Sequence, residues 1–409
     1  MFAQSVYLLH DNRRGVTSLS LLIGLPVLLL LVGLVVYVGL LRDARQDAQA
    51  GADAAALAGA RLLADDSLLL LSNYRERMEQ RVLQSRQMAL MVGQLNFSGN
   101  ERLQLNANQA NDPRGDIVIG YLDRPLHGTF TPLTPDTDSW DNSAINAVRV
   151  VVRRSPIPAL LGGRSPEQDV VATATAMLDW RVIGYRPRNE QPVPLMPIAL
   201  YTDHDGVDPQ GWDGQWLRRD KDSWSYDPSG RRWQVGRDGL PEIVVRFGNA
   251  DNNTSRGAAL FLQIGVEDFG GTLTQIRQGI RRTELERQFG AGGFVLRSDN
   301  KVQVTAQAGL PPATSPARMQ LLEALQELAG KGESRIWPLY SRYDAEQGQA
   351  AVSGWTAARI AAVVADEDSL ELELQPCVLP HCAALTQNVE PRPAFWQHNR
   401  MVCRVRLAE

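Results

Sequence analysis

Two groups of side chains in this chain have the composition of a chemical site. Asp203, Asp205, Asp208 and Asp213 fall in one short stretch around Gly206, and a calcium ion is held by carboxylate oxygens of this kind. The stretch departs from an EF-hand loop, because Gly206 comes at the fourth position and no Glu closes the loop. Asp and Gly are also the ordinary residues of tight turns, which is the plainer reading. Trp212, Trp216, Trp224 and Trp233 surround the same stretch; flat indole faces stack on sugar rings, yet tryptophans more often staple hairpins and cores. The second group is Cys377, His381, Cys382, His398 and Cys403. These are zinc-ligand types, but a structural zinc site uses paired ligands at short, regular spacing, and Cys377-x4-Cys382 with His398-x4-Cys403 is irregular. Cys403 alternates with Met401 and Val405, the pattern of a small buried hydrophobe on a strand. In an oxidising compartment, Cys377 and Cys382 are expected to close a tight loop around Pro380 as a disulfide.

Neither group amounts to a catalytic constellation. There is no Gly-x-Ser-x-Gly, no phosphate-cradling glycine loop after a strand and no His-Glu-x-x-His. The five histidines are scattered. We read the chain as a non-enzyme with no cofactor and no resident metal. A net charge of −4 also lacks the basic excess of a nucleic-acid binder.

What positions these residues begins with Val16–Leu41, 26 residues without a charge. As a helix this run spans roughly 39 Å, more than the ~30 Å hydrocarbon core of a bilayer. A cleaved secretory signal is shorter and ends at a small-residue cut site, whereas this run ends in Leu40-Leu41-Arg42. It therefore reads as a retained membrane span, with Pro26 a point of kinking. Arg13 and Arg14 before it and Arg42 and Arg45 after it nearly balance, so charge alone only weakly favours a cytoplasmic N-terminus.

Behind the span, Ala48–Ala60 is almost entirely small residues of high helix propensity. It reads either as a helix continuing out of the membrane or as a surface that lets another helix approach closely. Asp65-Asp66-Ser67 is a break or restart. From Leu71, apolar residues at Tyr74, Met78, Val82, Ala89 and Val92 predict an amphipathic helix to Leu95. Strands are predicted over 116–122, 147–152 and 170–177; in the second, Val148, Val150 and Val152 alternate with Arg149 and Arg153. A prolyl run, with Pro187, Pro192, Pro194 and Pro197, predicts a linker over 186–197. Beyond it, strands are expected over 242–247, 258–265, 353–365, 370–374 and 400–407. Thr283 with Glu286 predicts a capped short helix ending at Gly290. Ser315, Pro316 and Gly330 bracket a second helix over 316–329.

The expected architecture is α+β: a tail (1–15), a transmembrane helix (16–41), a long helix packed on a small antiparallel sheet in a pilin-like plan (42–185), the linker, and a β-rich α+β domain (198–409).

One succession of residues is more specific than any of these patterns. Arg13-Arg14-Gly15 leads an apolar run containing Pro26, Gly33 and Gly39, which is followed by Asp53-Ala54-Ala55-Ala56-Leu57-Ala58-Gly59-Ala60. It resembles the N-terminal module of the TadE/TadG-like proteins of the Tad (Flp) pilus assembly system. The resemblance is strongest over residues 13–61. The chain departs from the family at Tyr37, where an acidic residue is usual, and at Ser20, where members processed by a prepilin peptidase carry a Glu. The resemblance therefore implies an unprocessed, TadG-like protein with a cytoplasmic N-terminus and its bulk outside the inner membrane. It further implies a scaffold or anchor whose partners are membrane lipid and other Tad pilus or secretion components, pilin-like helices among them, with self-association compatible. The alternative from a different class is an envelope ligand-binding module that takes glycan or calcium through residues 201–233.

Overall fold

Residues Arg13–Leu63 form one unbroken α-helix, α1, which runs straight through Pro26. The computed structural model describes residues 13–70, 74–133, 145–155, 170–204, 206–247, 259–297, 299–366, 369–387 and 401–408, with side chains from residue 21 onward except at Tyr74 and Arg75. The expected tail up to residue 12, Asp205 and His398 lie outside the described residues. Helix α1 ends where Asp65 caps a 3-10 turn, Asp66–Leu69, by accepting from Ser67 N–H. The predicted amphipathic helix follows as α2, Tyr74–Leu95.

Both helices lie on a six-stranded sheet. Its centre pairs Ala147–Arg154 with Ile117–Leu122 on one side and Val170–Asp179 on the other, both antiparallel. Val148, Val150 and Val152 face the helices and are buried, each worth roughly 1.5–3 kcal/mol of apolar burial, while Arg149 and Arg153 stay partly exposed. The sheet does not end with the first half of the chain. Val402–Leu407 returns from the C-terminus and pairs antiparallel with Val170–Asp179, with Leu407 opposite Ala176. The last strand of the stretch expected as 198–409 thus extends the sheet of the stretch expected as 42–185.

The second unit holds the larger core. Strands Ile198–Tyr201, Leu260–Leu262, Val302–Gln307, Gln349–Ala365 and Arg335–Asp344 pair successively, and the last pairs back to the first, so the hydrogen-bonded ring closes. The far half of Gln349–Ala365 carries Leu370–Pro376, which carries Ile243–Phe247. Helix Pro316–Lys331 packs on the long strand, capped by Ser315 as predicted but closed by Gly332 in the left-handed region rather than by Gly330. Helix Arg282–Phe289 starts one position before the predicted Thr283, with Glu284 rather than Glu286 accepting from the Arg281 N–H.

The prolyl segment is not a loose linker. Val193, Leu195 and Met196 are fully buried, and the backbone bridges to Ile280 and Ile336. Proline removes a donor but leaves its neighbours free to pair, and these alternate with the prolines. The two units are locked together twice more. Leu68 and Leu69 of the 3-10 turn enter the second core, and Arg359 Nη1 meets Asp66 Oδ2 at 2.6 Å. Asp179 binds Arg181 in a bidentate, buried pair (2.8 and 3.1 Å) where the first sheet hands over to the second unit.

Candidate functional site: an apolar helix seated on a sheet

The large aliphatic side chains from Leu21 to Leu40 are 46–72% exposed, and none of this apolar stretch is buried inside the described fold. A single soluble domain does not leave so long a run of leucine and valine in water. By length and apolarity this part of α1 is a candidate membrane span. Arg13, Arg14 and Gly15 form its first turn, and Pro26, Gly33 and Gly39 lie within it.

Past Leu41 the same helix changes character. Ala44 and Ala48 turn inward, and Ala52, Ala55, Ala56 and Ala60 are fully buried against the sheet and α2. Small side chains are required there because the elements come very close. A Cβ on Gly59 would meet the Ala89 Cβ at 3.0 Å, the Ser85 carbonyl at 3.2 Å and Val148 Cγ1 at 3.3 Å. The Ser85 hydroxyl donates to the Gly59 carbonyl at 2.8 Å, tying α2 to α1. Ser85→Ala is expected to cost about 1 kcal/mol, read as a lower midpoint in chemical denaturation.

The small-residue stretch, which by composition could receive an outside helix, is thus largely occupied from within. Asp53, Ala54, Leu57 and Ala58 form its half-buried outer face, with Asp53 accepting from Gln49 Nε2 at 2.8 Å. Sequence reasoning put Ala89 on the apolar face of the helix but missed Ser85, although their four-residue spacing on α2 repeats the small-residue pattern of α1.

The other candidate sites are spent inside the fold. Trp212 and Trp216 sit on a short helix, Trp212–Arg218, and are buried in the second core. The indole N–H of Trp224 donates to Glu373 and that of Trp233 to the Ala329 carbonyl. Asp203 accepts from the Gly206 and Asp208 N–H groups, Asp208 from Gln210 N–H, and Asp213 from the Thr202 hydroxyl. These carboxylates hold turns, as Asp does in Asx motifs.

Cys377, Cys382 and Cys403 are all free thiols. The expected Cys377–Cys382 disulfide is not made, because Cys377 is buried at the end of its strand while Cys382 is exposed in the following turn. Burial pushes the Cys377 thiol up to about 11. His381, pushed down to about 4 by burial, accepts from the Ala383 N–H through Nδ1. Among the described residues, no three His, Cys, Asp or Glu are grouped to hold a metal.

One buried carboxyl has a measurable consequence. Glu242 accepts from the Ser223 and Trp224 N–H groups at 2.7 and 3.1 Å. Its burial, with the charges of Asp222 and Asp238 adding to it, raises it from 4.5 to about 7 against those donors. A folded-state value above the unfolded one means stability present at low pH and lost as pH rises through the interval from 4.5 to about 7. The loss is on the order of 3 kcal/mol. Thermal midpoints taken on either side of that interval are expected to fall with pH, and Glu242→Gln is expected to flatten the difference.

Two family models match the chain. Residues 15–62 match the putative Flp pilus-assembly TadE/G-like family, and residues 40–176 match the putative Tad-like Flp pilus-assembly family. The two overlap on the seated part of α1, and the second ends inside the central sheet strand Val170–Asp179. No curated protein and no solved structure matches the chain.

Proposed function

We propose that this chain, whose residues 15–62 match the TadE/G-like and 40–176 the Tad-like Flp pilus-assembly family model, is a non-enzymatic scaffold of a Tad (Flp) pilus and its secretion apparatus. It stands on a single membrane helix, with its N-terminus in the cytoplasm and both folded units on the outer side of the inner membrane. Ser20, in place of the Glu of processed members, favours the unprocessed TadG-like branch.

The observation that carries the reading is the continuity of α1. One rigid helix is bare and apolar at one end and clamped into a sheet at the other. Such an element transmits position, holding the outer units at a fixed height over the bilayer. Since the alanine face is occupied, partners are received on the outer face of Asp53, Ala54, Leu57 and Ala58 or on the second unit, with pilin-like helices and other Tad components as the occupants. The ligand-binding alternative loses its ground, because its tryptophans and aspartates are committed to cores and turns.

The test is a deletion in the source cell, complemented by the full chain or by a chain whose residues 16–41 are replaced with a cleavable export signal. The reading expects surface pili to vanish on deletion and to return only with the anchored form. Unchanged piliation in the deletion would overturn it.

A further inference from the structure

Helix α2 runs back along α1 towards the membrane. Ala89 lies beside Gly59 and Asn96 beside Gly51. The Ser98 hydroxyl then donates to the Ala44 carbonyl at 2.9 Å, and Gly99 N–H donates to Asp47 at 3.0 Å. Among the described residues, 95–102, the end of α2 and the hairpin Phe97–Ser98/Glu101–Arg102, therefore make the contacts of the folded unit nearest the span. Ala44 is three residues beyond Leu41, about 4.5 Å along the helix axis. A headgroup layer is roughly 5–7 Å thick on each side of the hydrocarbon core. The hairpin thus lies at headgroup depth.

Its exposed side chains suit that layer. Leu95 is 66% and Phe97 48% exposed. The Arg102 guanidinium lies over the Phe97 ring, 5.5 Å from its centroid, and Arg154 Nε holds the Ser98 carbonyl at 2.9 Å. Arg42 and Arg45 stand exposed on α1 at the same height. Asp43, Asp47 and Glu101 offset three of these four arginines, so attraction to anionic lipid is not the main contribution. Apolar side chains entering the acyl boundary, with arginine stems reaching up to phosphates, provide it instead.

We propose that the Leu95–Arg102 hairpin is a second membrane contact, a foot resting in the phospholipid headgroup layer of the bilayer that α1 crosses. The proposal rests on the span reading and deepens it. One helix leaves a domain free to swivel about its axis; a helix and a foot fix its tilt and the face it presents. Continuity with the span favours lipid over a second protein chain as the occupant.

The test uses the full chain in vesicles of phosphatidylethanolamine and phosphatidylglycerol. In a Cys382→Ala background, where Cys377 and Cys403 are buried, a bimane label is placed at Phe97→Cys. Parallel labels go at Val36→Cys in the span and Val235→Cys on the second unit, and nitroxide lipids act as quenchers. The foot predicts blue-shifted emission at 97, quenched by headgroup and shallow-chain nitroxides at every protein-to-lipid ratio, with 36 quenched and 235 bright. A label at 97 that stays bright while 36 is quenched overturns the foot and leaves the span standing. Blue-shifted emission at 97 that lipid nitroxides do not quench and that is lost on dilution of the protein assigns the surface to another copy and also overturns it. If 36 is bright as well, the span itself fails and the foot with it.

Discussion

Asp66→Ala is expected to destabilise the protein by about 3 kcal/mol, because it removes one partner of a partly buried ion pair and leaves the more deeply buried Arg359 uncompensated. Asp66 accepts from Arg359 at 2.6 Å and from the Val378 N–H at 2.7 Å. Arg359 is pushed upward by the nearby Cys377 and Asp66 in spite of its burial, and it also lies 4.6 Å from the Tyr226 ring centroid. Deleting the carboxylate leaves a largely buried guanidinium facing a vacated site, which costs far more than the intact pair contributes. Two further links depend on the same turn, since Leu68 and Leu69 enter the second core and the Leu69 carbonyl accepts from Arg219 at 2.7 Å. The substitution should lower the melting temperature by roughly 6–12 °C for a domain of this size. It should also open residues 64–74 to protease. Asp66→Asn keeps an acceptor for Val378 and is expected to lose less.

The second large effect is at Gly59, and here the sign depends on size. Glycine in a helix interior costs roughly 1 kcal/mol relative to alanine. Gly59→Ala recovers that helix propensity, which offsets the crowding of one Cβ at 3.0–3.3 Å from three neighbours. It is expected to be nearly neutral. Gly59→Leu adds atoms where Ala89, the Ser85 carbonyl and Val148 leave no room, so α1 must lift from the sheet. Overpacking of this kind costs about 3 kcal/mol. Urea denaturation of the detergent-extracted protein separates the outcomes. A Leu variant as stable as the Ala variant would mean that the seat is looser than the structure has it.

Much of this architecture is written locally in the sequence. The span is legible because no charge interrupts Val16–Leu41. The central strand is legible because Val148, Val150 and Val152 alternate with more polar neighbours. Helix Pro316–Lys331 announces itself through Ser315 and Pro316. What escaped has no local signature. The pairing of Val402–Leu407 with Val170–Asp179 joins segments more than 200 residues apart, and nothing in either strand names its partner. Prolines at 187–197 read as a linker because they cannot donate, yet Val193 and Leu195 between them do pair. Asp and Gly around Trp212 read as loop and concealed a helix held by two buried indoles. At the anchor, the composition of Ala48–Ala60 left open a plain continuing helix or a surface for close approach. That the chain's own α2 and sheet are what approaches is a tertiary fact.

The most direct test of the scaffold claim is affinity capture of the full chain after mild membrane extraction, with a photo-crosslinker at Ala54 or Ala58. Mass spectrometry then identifies what is held. The account predicts Tad components, pilus secretin, inner-membrane platform or pilins, crosslinked through that outer face or co-purifying through the second unit. Recovery of the protein alone, or bound only to wall polymer, would contradict it.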